Sequence, residues 1–216
     1  TLYVALLALA LVLTGMHWPE LSENAGDRVL AADNLLLLGI CFAVVKFLHE
    51  LGHGYAAKAG GGEVHEMGIL FLVFMPVPYV DASAANGFRS KWRRVLVGAA
   101  GMLTELFIAA LFIVVWVLAE PGSLRAIAYN VILIAGVSTV VFNANPLLRF
   151  DGYFILSDLI EIPNLAMRSN QYWRYLAERY VFKMPNVEPP AATAGERRWF
   201  VFYAPSAFAY RMFVMV

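Results

Sequence analysis

The chain has 216 residues, 61% of them hydrophobic and only 15% charged, with 16 basic residues balancing 16 acidic ones at a formal net charge of zero. Soluble domains carry charge on about a quarter of their residues, so this deficit and a mean hydropathy of +0.66 read as an integral membrane protein. The neutral balance and the lack of a basic tract exclude a nucleic-acid binder, and the single cysteine, Cys41, excludes an internal disulfide framework.

The first predicted element, Leu2 to Trp18, is apolar throughout and lacks the basic leader and small-residue cleavage site of a signal peptide, so it reads as a truncated membrane helix. The chain opens at Thr1 inside this run and closes inside another that begins near Trp199, which marks it as a piece of a longer protein. Crossing the hydrocarbon core takes about 20 apolar residues. Leu35 to Lys58, Val95 to Leu118 and Ala126 to Phe142 also come near that length, and the run from Trp199 would begin a fifth span. The expected fold is therefore an all-α membrane protein, a polytopic bundle of about four to five transmembrane helices. The loop after the first run carries Glu20, Glu23, Asp27, Arg28 and Asp33, whereas Arg89, Lys91, Arg93 and Arg94 precede the third. By the positive-inside rule the latter side is cytoplasmic. The second helix then enters from outside, and His49 lies about 24 Å along it, in the inner part of the bilayer.

Between the second and third helices, Gly60 to Gly62 break the helix and Pro76 and Pro78 end an apolar stretch too short to span. It reads as one or two strands or as a re-entrant hairpin at membrane level. Past Asp151 come a short helix from Tyr153 to Ile162, an amphipathic stretch from Tyr172 to Lys183 suited to an anionic cytoplasmic surface, and a Pro/Ala linker from Glu188 to Gly195. The expected organisation is a core over 1–163, an interfacial segment and linker over 164–198, and the start of a further membrane helix over 199–216. No internal repeat is visible.

The chemistry concentrates in HELGH, His49 to His53. Histidines at i and i+4 share a helix face and can place two imidazole nitrogens on one metal ion, with the glutamate after the first histidine beside the bound water. Ionisable residues inside a span are costly and mark functional sites. A catalytic metal needs a third protein ligand and an open position. His17 is at the opposite side of the membrane and His65 follows the glycine turn, whereas Asp151 follows the inner end of the fourth helix, which runs inward like the second. Pro146 and Gly152 let the chain turn there, so Asp151 is the stronger third ligand. Nitrogen and oxygen donors with an open position take zinc and also admit cobalt or manganese.

HELGH in a membrane helix, followed about a hundred residues later by Asn143, Pro146 and Asp151-Gly152, resembles the site-2 protease family of intramembrane zinc metalloproteases, and more closely its bacterial peptide zinc metalloprotease branch. The resemblance covers most of the chain from Asp33 to Tyr153. It implies His49, His53 and Asp151 as ligands of Zn2+, Glu50 as general base, and Asn143 as a residue near bound substrate. Phe150 stands where the family has an aliphatic residue. In the third helix, Gly101 to Glu105 keep only the glycine of the family's Gly-Pro-x-x-Asn pattern.

The function expected is hydrolysis of peptide bonds in membrane-embedded or membrane-associated peptides and proteins, at the cytoplasmic side of a bacterial cytoplasmic membrane. Its partners are the substrate, the lipid bilayer, and helices or domains outside this stretch of chain. Asn143, Asn145, Thr104 and Glu105 are candidates to line a wet cavity. Gly68 to Phe74 offers either a strand edge for an unwound substrate or a plain re-entrant plug. Lys46 is i to i+4 with Glu50 and could restrain it or meet substrate; pairing with Glu105 is the favoured alternative, and Glu105 could instead accept the outer N–H of a ligand histidine. The competing function is a silent membrane scaffold of the same fold. A haem carrier would want histidines on two spans, and a transporter would want paired broken helices in two halves.

Overall fold

The long apolar runs fold as helices that pack through small residues, and the glycine- and proline-punctuated stretch between two of them folds as a hairpin. In the computed structural model the described residues are 1–23, 25–26, 31–72, 75–185, 187–190 and 192–215. Asp27, Arg28, Val73, Phe74, Ala191 and Val216, named in the sequence expectations, lie outside them, as does the side chain of Asp33. The chain divides into two units, Thr1–Ala144 and Asn145–Val216.

The first unit contains α1 (Leu2–Met16), a short α2 (Trp18–Ser22), α3 (Ala32–Ala59), β1 (Met67–Leu72), β2 (Met75–Val80), a 3-10 turn (Ser83–Gly87), α4 (Lys91–Leu118), and α5 (Ser123–Ile132), which continues in wider π-type turns over Leu133–Asn143. Among the described residues, three helices are long and apolar enough to cross a membrane: Asn34–Ala59, Lys91–Leu118 and Ser123–Asn143. The described chain is thus mostly helical with three membrane-length apolar helices, and the expected four to five spans are matched by these three. The first run folds as an apolar helix over Leu2–Met16. The last run carries Glu196, Arg197, Arg198 and Arg211 within one 22-residue helix.

Contacts between the spans set their directions. His53 meets Val97 while Lys46 meets Glu105, so α3 and α4 are antiparallel. Asn34 meets Asn130 at one end of α3, and Val45 packs with Ile134 and Ala135 further along, so α5 and its continuation run parallel to α3. This is the arrangement the alternating loops demand. Helix α3 stops at a glycine turn in which the Gly61 N–H donates to Lys58 and the Gly62 N–H to Ala57, with Gly61 at φ +89. That left-handed residue closes the helix without the steric cost a side chain would bring.

Strands β1 and β2 pair antiparallel, Met67 opposite Val80 and Phe71 opposite Pro76, which resolves the strand-or-hairpin alternative as a two-stranded hairpin. Pro76, Pro78 and Val80 turn the same backbone edge away from β1. Two of them lack an N–H, and the third donates to Glu50 of α3. The edge of β2 is thereby used up, while Met67, Ile69 and Phe71 of β1 turn theirs outward. Beyond β2, the Ser83 hydroxyl and N–H hold the Asp81 carboxyl below the ordinary carboxylate range.

The second unit contains α6 (Asp151–Leu159), α7 (Leu165–Leu176) with a π-type extension (Ala177–Val181), and α8 (Ala194–Met215). Tyr153, Leu165, Ala166, Phe200, Tyr203 and Ala207 form its core, and the Ser169 hydroxyl donates to the Phe200 carbonyl beneath it.

Helices α3 and α4 come close together at Gly52, where a Cβ would sit 2.5 Å from Thr104 Oγ1 and 2.9 Å from the Ala100 carbonyl oxygen. Gly52→Ala is expected to destabilise the protein by about 1–3 kcal/mol, read as a lower thermal-unfolding midpoint in detergent. Gly39→Ala, with nothing within 4 Å of its Cβ, serves as the control and is expected to unfold no lower than the parent, since alanine favours the helix.

Candidate metal centre

Helical spacing puts Lys46, His49 and His53 on the face of α3 that meets α4, and Glu50 toward the hairpin. His49 is buried and His53 half-buried. Nδ1 of His53 lies 2.7 Å from the carbonyl oxygen of Val97. A carbonyl only accepts, so this nitrogen carries the proton. Nδ1 of His49 lies 3.1 Å from Oε1 of Glu105, which in its ionised form also only accepts. His53 therefore presents its lone pair at Nε2, and the two Nε2 atoms are 3.0 Å apart. With the proton of His49 on Nδ1, both lone pairs would face one point, where a cation held by both makes the geometry attractive. Two zinc–nitrogen bonds at a tetrahedral angle would set the nitrogens about 3.3 Å apart, so the pair fits zinc.

Glu105 is 0% exposed. Its Oε1 accepts from Lys46 Nζ at 2.7 Å, and its Oε2 accepts from Asn143 Nδ2 at 3.1 Å and from the Thr139 hydroxyl. The two sequence alternatives for Lys46 and Glu105 are therefore parts of one cluster: Lys46 pairs with Glu105 rather than with Glu50, and the same carboxylate faces the outer nitrogen of His49. Asn143 turns into this cluster. Thr139 was not among the expected site residues, and its signal in the sequence is a hydroxyl four positions before Asn143 in an apolar helix. The wider turns over Leu133–Asn143 place both donors on Glu105, in keeping with the use of π-type turns at functional sites.

Glu50 Oε2 accepts the Val80 N–H at 3.2 Å, so the carboxylate sits between α3 and the end of β2. Thr104 donates to the Ala100 carbonyl of its own helix. His65 is exposed beside Glu63, and His17 is beside Glu20. Gly101 of α4 is where the histidines need room: a Cβ there would stand 2.5 Å from His49 Nε2 and on top of His53 Nε2.

In the second unit, Asp151 is the first residue of α6 and half-buried, where the positive end of the helix dipole favours a carboxylate. The turn before it is held by Asn145 Oδ1, which accepts the Leu147 N–H, and by the Tyr203 hydroxyl, which donates to the Pro146 carbonyl. Asn145 thus shapes the turn. Within the first unit, His49 and His53 offer two nitrogen donors to one metal ion.

Residues 37–132 match the model of peptidase family M50. Over that stretch, a little under half of its length, the chain is similar to the M50 peptidases. The match takes in HELGH and Glu105 and ends before Asn143 and Asp151. The chain is also 26% identical over 177 residues to the "Putative peptide zinc metalloprotease protein YydH" of Bacillus subtilis (strain 168), covering 81% of this chain and 68% of that protein. No solved structure matches. The name of this relative is that of a zinc metalloprotease, and the nitrogen donors of His49 and His53 are of the kind zinc takes.

Two variants test the geometry. Gly101→Ala is expected to raise the helical propensity of α4 by up to about 1 kcal/mol while driving the two Nε2 atoms apart, so the protein stays folded by circular dichroism and loses zinc by elemental analysis. Lys46→Met leaves the Glu105 charge without its cation and is expected to cost about 3–5 kcal/mol. Adding Glu105→Gln should recover much of that loss, and additive losses across the four proteins would contradict the pairing.

Proposed function

We propose that the chain is an intramembrane zinc endopeptidase, cutting peptide bonds of membrane-embedded or membrane-associated peptides and proteins. The observation that carries this reading is the pair of imidazole Nε2 atoms converging at 3.0 Å beside a glutamate, inside a helix apolar enough to span. His49, His53 and Asp151 are the proposed zinc ligands. When bound, zinc acidifies a water molecule and polarises the scissile carbonyl. Glu50 takes the proton of the attacking water on its carboxylate and passes it to the departing amine nitrogen. The Val80 N–H, donating to Oε2, holds that carboxylate at one oxygen and leaves the other for the proton.

Glu105 acts through His49: it keeps the proton on Nδ1, so that Nε2 faces the metal, and adds negative charge behind the ligand. Lys46, Thr139 and Asn143 hold Glu105 in place. A substrate helix has to unwind before it can be cut, because its peptide bonds are already hydrogen-bonded. The open edge of β1, with Met67, Ile69 and Phe71 turned outward, is proposed to receive it as an added strand. Arg89, Lys91, Arg93 and Arg94 ahead of α4 support a cytoplasmic placement of that end of the helix, with the site toward the cytoplasmic side of a bacterial membrane.

Glu50→Gln in the full-length protein is expected to keep about one zinc per chain and to lose cleavage of a membrane-anchored reporter by at least about 100-fold. Cleavage undiminished in this variant would refute Glu50 as the base. Zinc without cleavage in the parent, over a panel of reporters, would favour the scaffold reading.

A further inference from the structure

In the second unit, the turn before Asp151, α7 and α8 enclose a cavity of about 220 Å³ bordered by Leu147, Leu148, Arg149, Asn170, Tyr203 and Arg211. Two guanidinium groups face one small space, and none of its lining residues is acidic. Among the described residues neither arginine meets a carboxylate. Arg149 lies 6.0 Å from the ring centre of Tyr153, and Arg211 Nε donates to the Ala207 carbonyl one turn back on its own helix. Both arginines are exposed at the rim of this cavity, and two like charges beside one space repel each other. An anion between them relieves that repulsion. Guanidinium groups match the oxygens of phosphate two at a time, and Asn170 adds a neutral donor at the same rim.

The surroundings say what carries the phosphate. On α8, Arg211 is flanked by Phe208, Met212 and Met215, all large, apolar and exposed. A cationic cavity opening onto apolar surface suits an amphiphile with a negative head, and basic pockets between helices of membrane proteins take anionic lipid headgroups. We propose that this cavity binds the phosphate of an anionic phospholipid through Arg149, Arg211 and Asn170, with the acyl chains along the exposed apolar face of α8. The bound head then bridges α8 and the turn leading into Asp151. The Tyr203 hydroxyl already makes that connection at Pro146.

The test uses the full-length protein in mild detergent with phosphatidylglycerol, phosphatidylcholine or inorganic phosphate, read by native mass spectrometry and thermal unfolding. The expected result is retention of one phosphatidylglycerol in preference to phosphatidylcholine, together with a raised unfolding midpoint. Arg149→Gln/Arg211→Gln should weaken retention by at least about tenfold, the effect of losing a charge-assisted contact. Protection by inorganic phosphate equal to that by phosphatidylglycerol, lost in the double variant, would keep the anion site and make free phosphate its source. Equal retention of the two lipids, or a double variant that binds phosphatidylglycerol like the parent, would overturn the proposal. If the double variant does not fold, Asn170→Leu replaces it: a few-fold weakening is expected, and unchanged binding by that variant would count against the site.

Discussion

A carboxylate with no exposed surface, in the middle of a bundle of apolar helices, is the constraint on which the rest of the first unit depends. Taking Glu105 out of water costs several kcal/mol even after relaxation, and only several strong donors offset that. The protein supplies them from two neighbouring elements, Lys46 from α3 and Thr139 and Asn143 from the continuation of α5, and Nδ1 of His49 faces the same carboxylate at 3.1 Å. Satisfying one charge therefore sets the rotation and axial position of three helices at once. The first metal-facing histidine lies within that network, so its tautomer and its orientation come from the same interaction that orders the bundle.

Close approach is the second requirement, and glycine meets it at two places with different consequences. Gly52 lets the backbone of α3 reach Ala100 and Thr104 of α4, which brings His49 within range of Glu105. Gly101, facing back, leaves the volume into which the two Nε2 atoms point. In lipid there is no hydrophobic drive between helices, so packing and hydrogen bonds carry their association, and small residues at the contact are what such packing uses. The departure from the family's pattern in α4 falls at this contact, where Glu105 supplies a charge and Gly101 keeps the space.

The hairpin joins structure to chemistry through one hydrogen bond. Its prolines remove donors from the edge of β2 that faces α3, and the next outward N–H, that of Val80, goes to Glu50. A blocked edge on one side and an open edge on the other give a two-stranded sheet a direction in which it can grow. The second unit treats the turn before Asp151 in a comparable way. Asn145 and Tyr203 hold it, and two arginines without acidic partners stand beside it.

Much of this was legible in the sequence because it rests on local patterns. Hydropathy gave the helices that can span; spacing put His49 and His53 on one face of α3; the glycine triplet marked where α3 ends and the prolines where the apolar stretch could not continue as a helix. Each depends on residues within a few positions of one another. Tertiary structure decided what depends on distant partners: that Lys46 turns to Glu105 and not to Glu50 one turn away, that Thr139 joins the cluster, that Asn145 spends its oxygen on its own turn, and that the apolar stretch forms two paired strands. The run from Leu2 and the run from Trp199 looked alike as spans, yet the helix that holds the second begins at Ala194 and so takes in Glu196, Arg197 and Arg198 besides Arg211. Sequence names which groups are costly to bury; only the folded chain determines which partner relieves each one, because that choice is made by distance and direction between elements far apart along the chain.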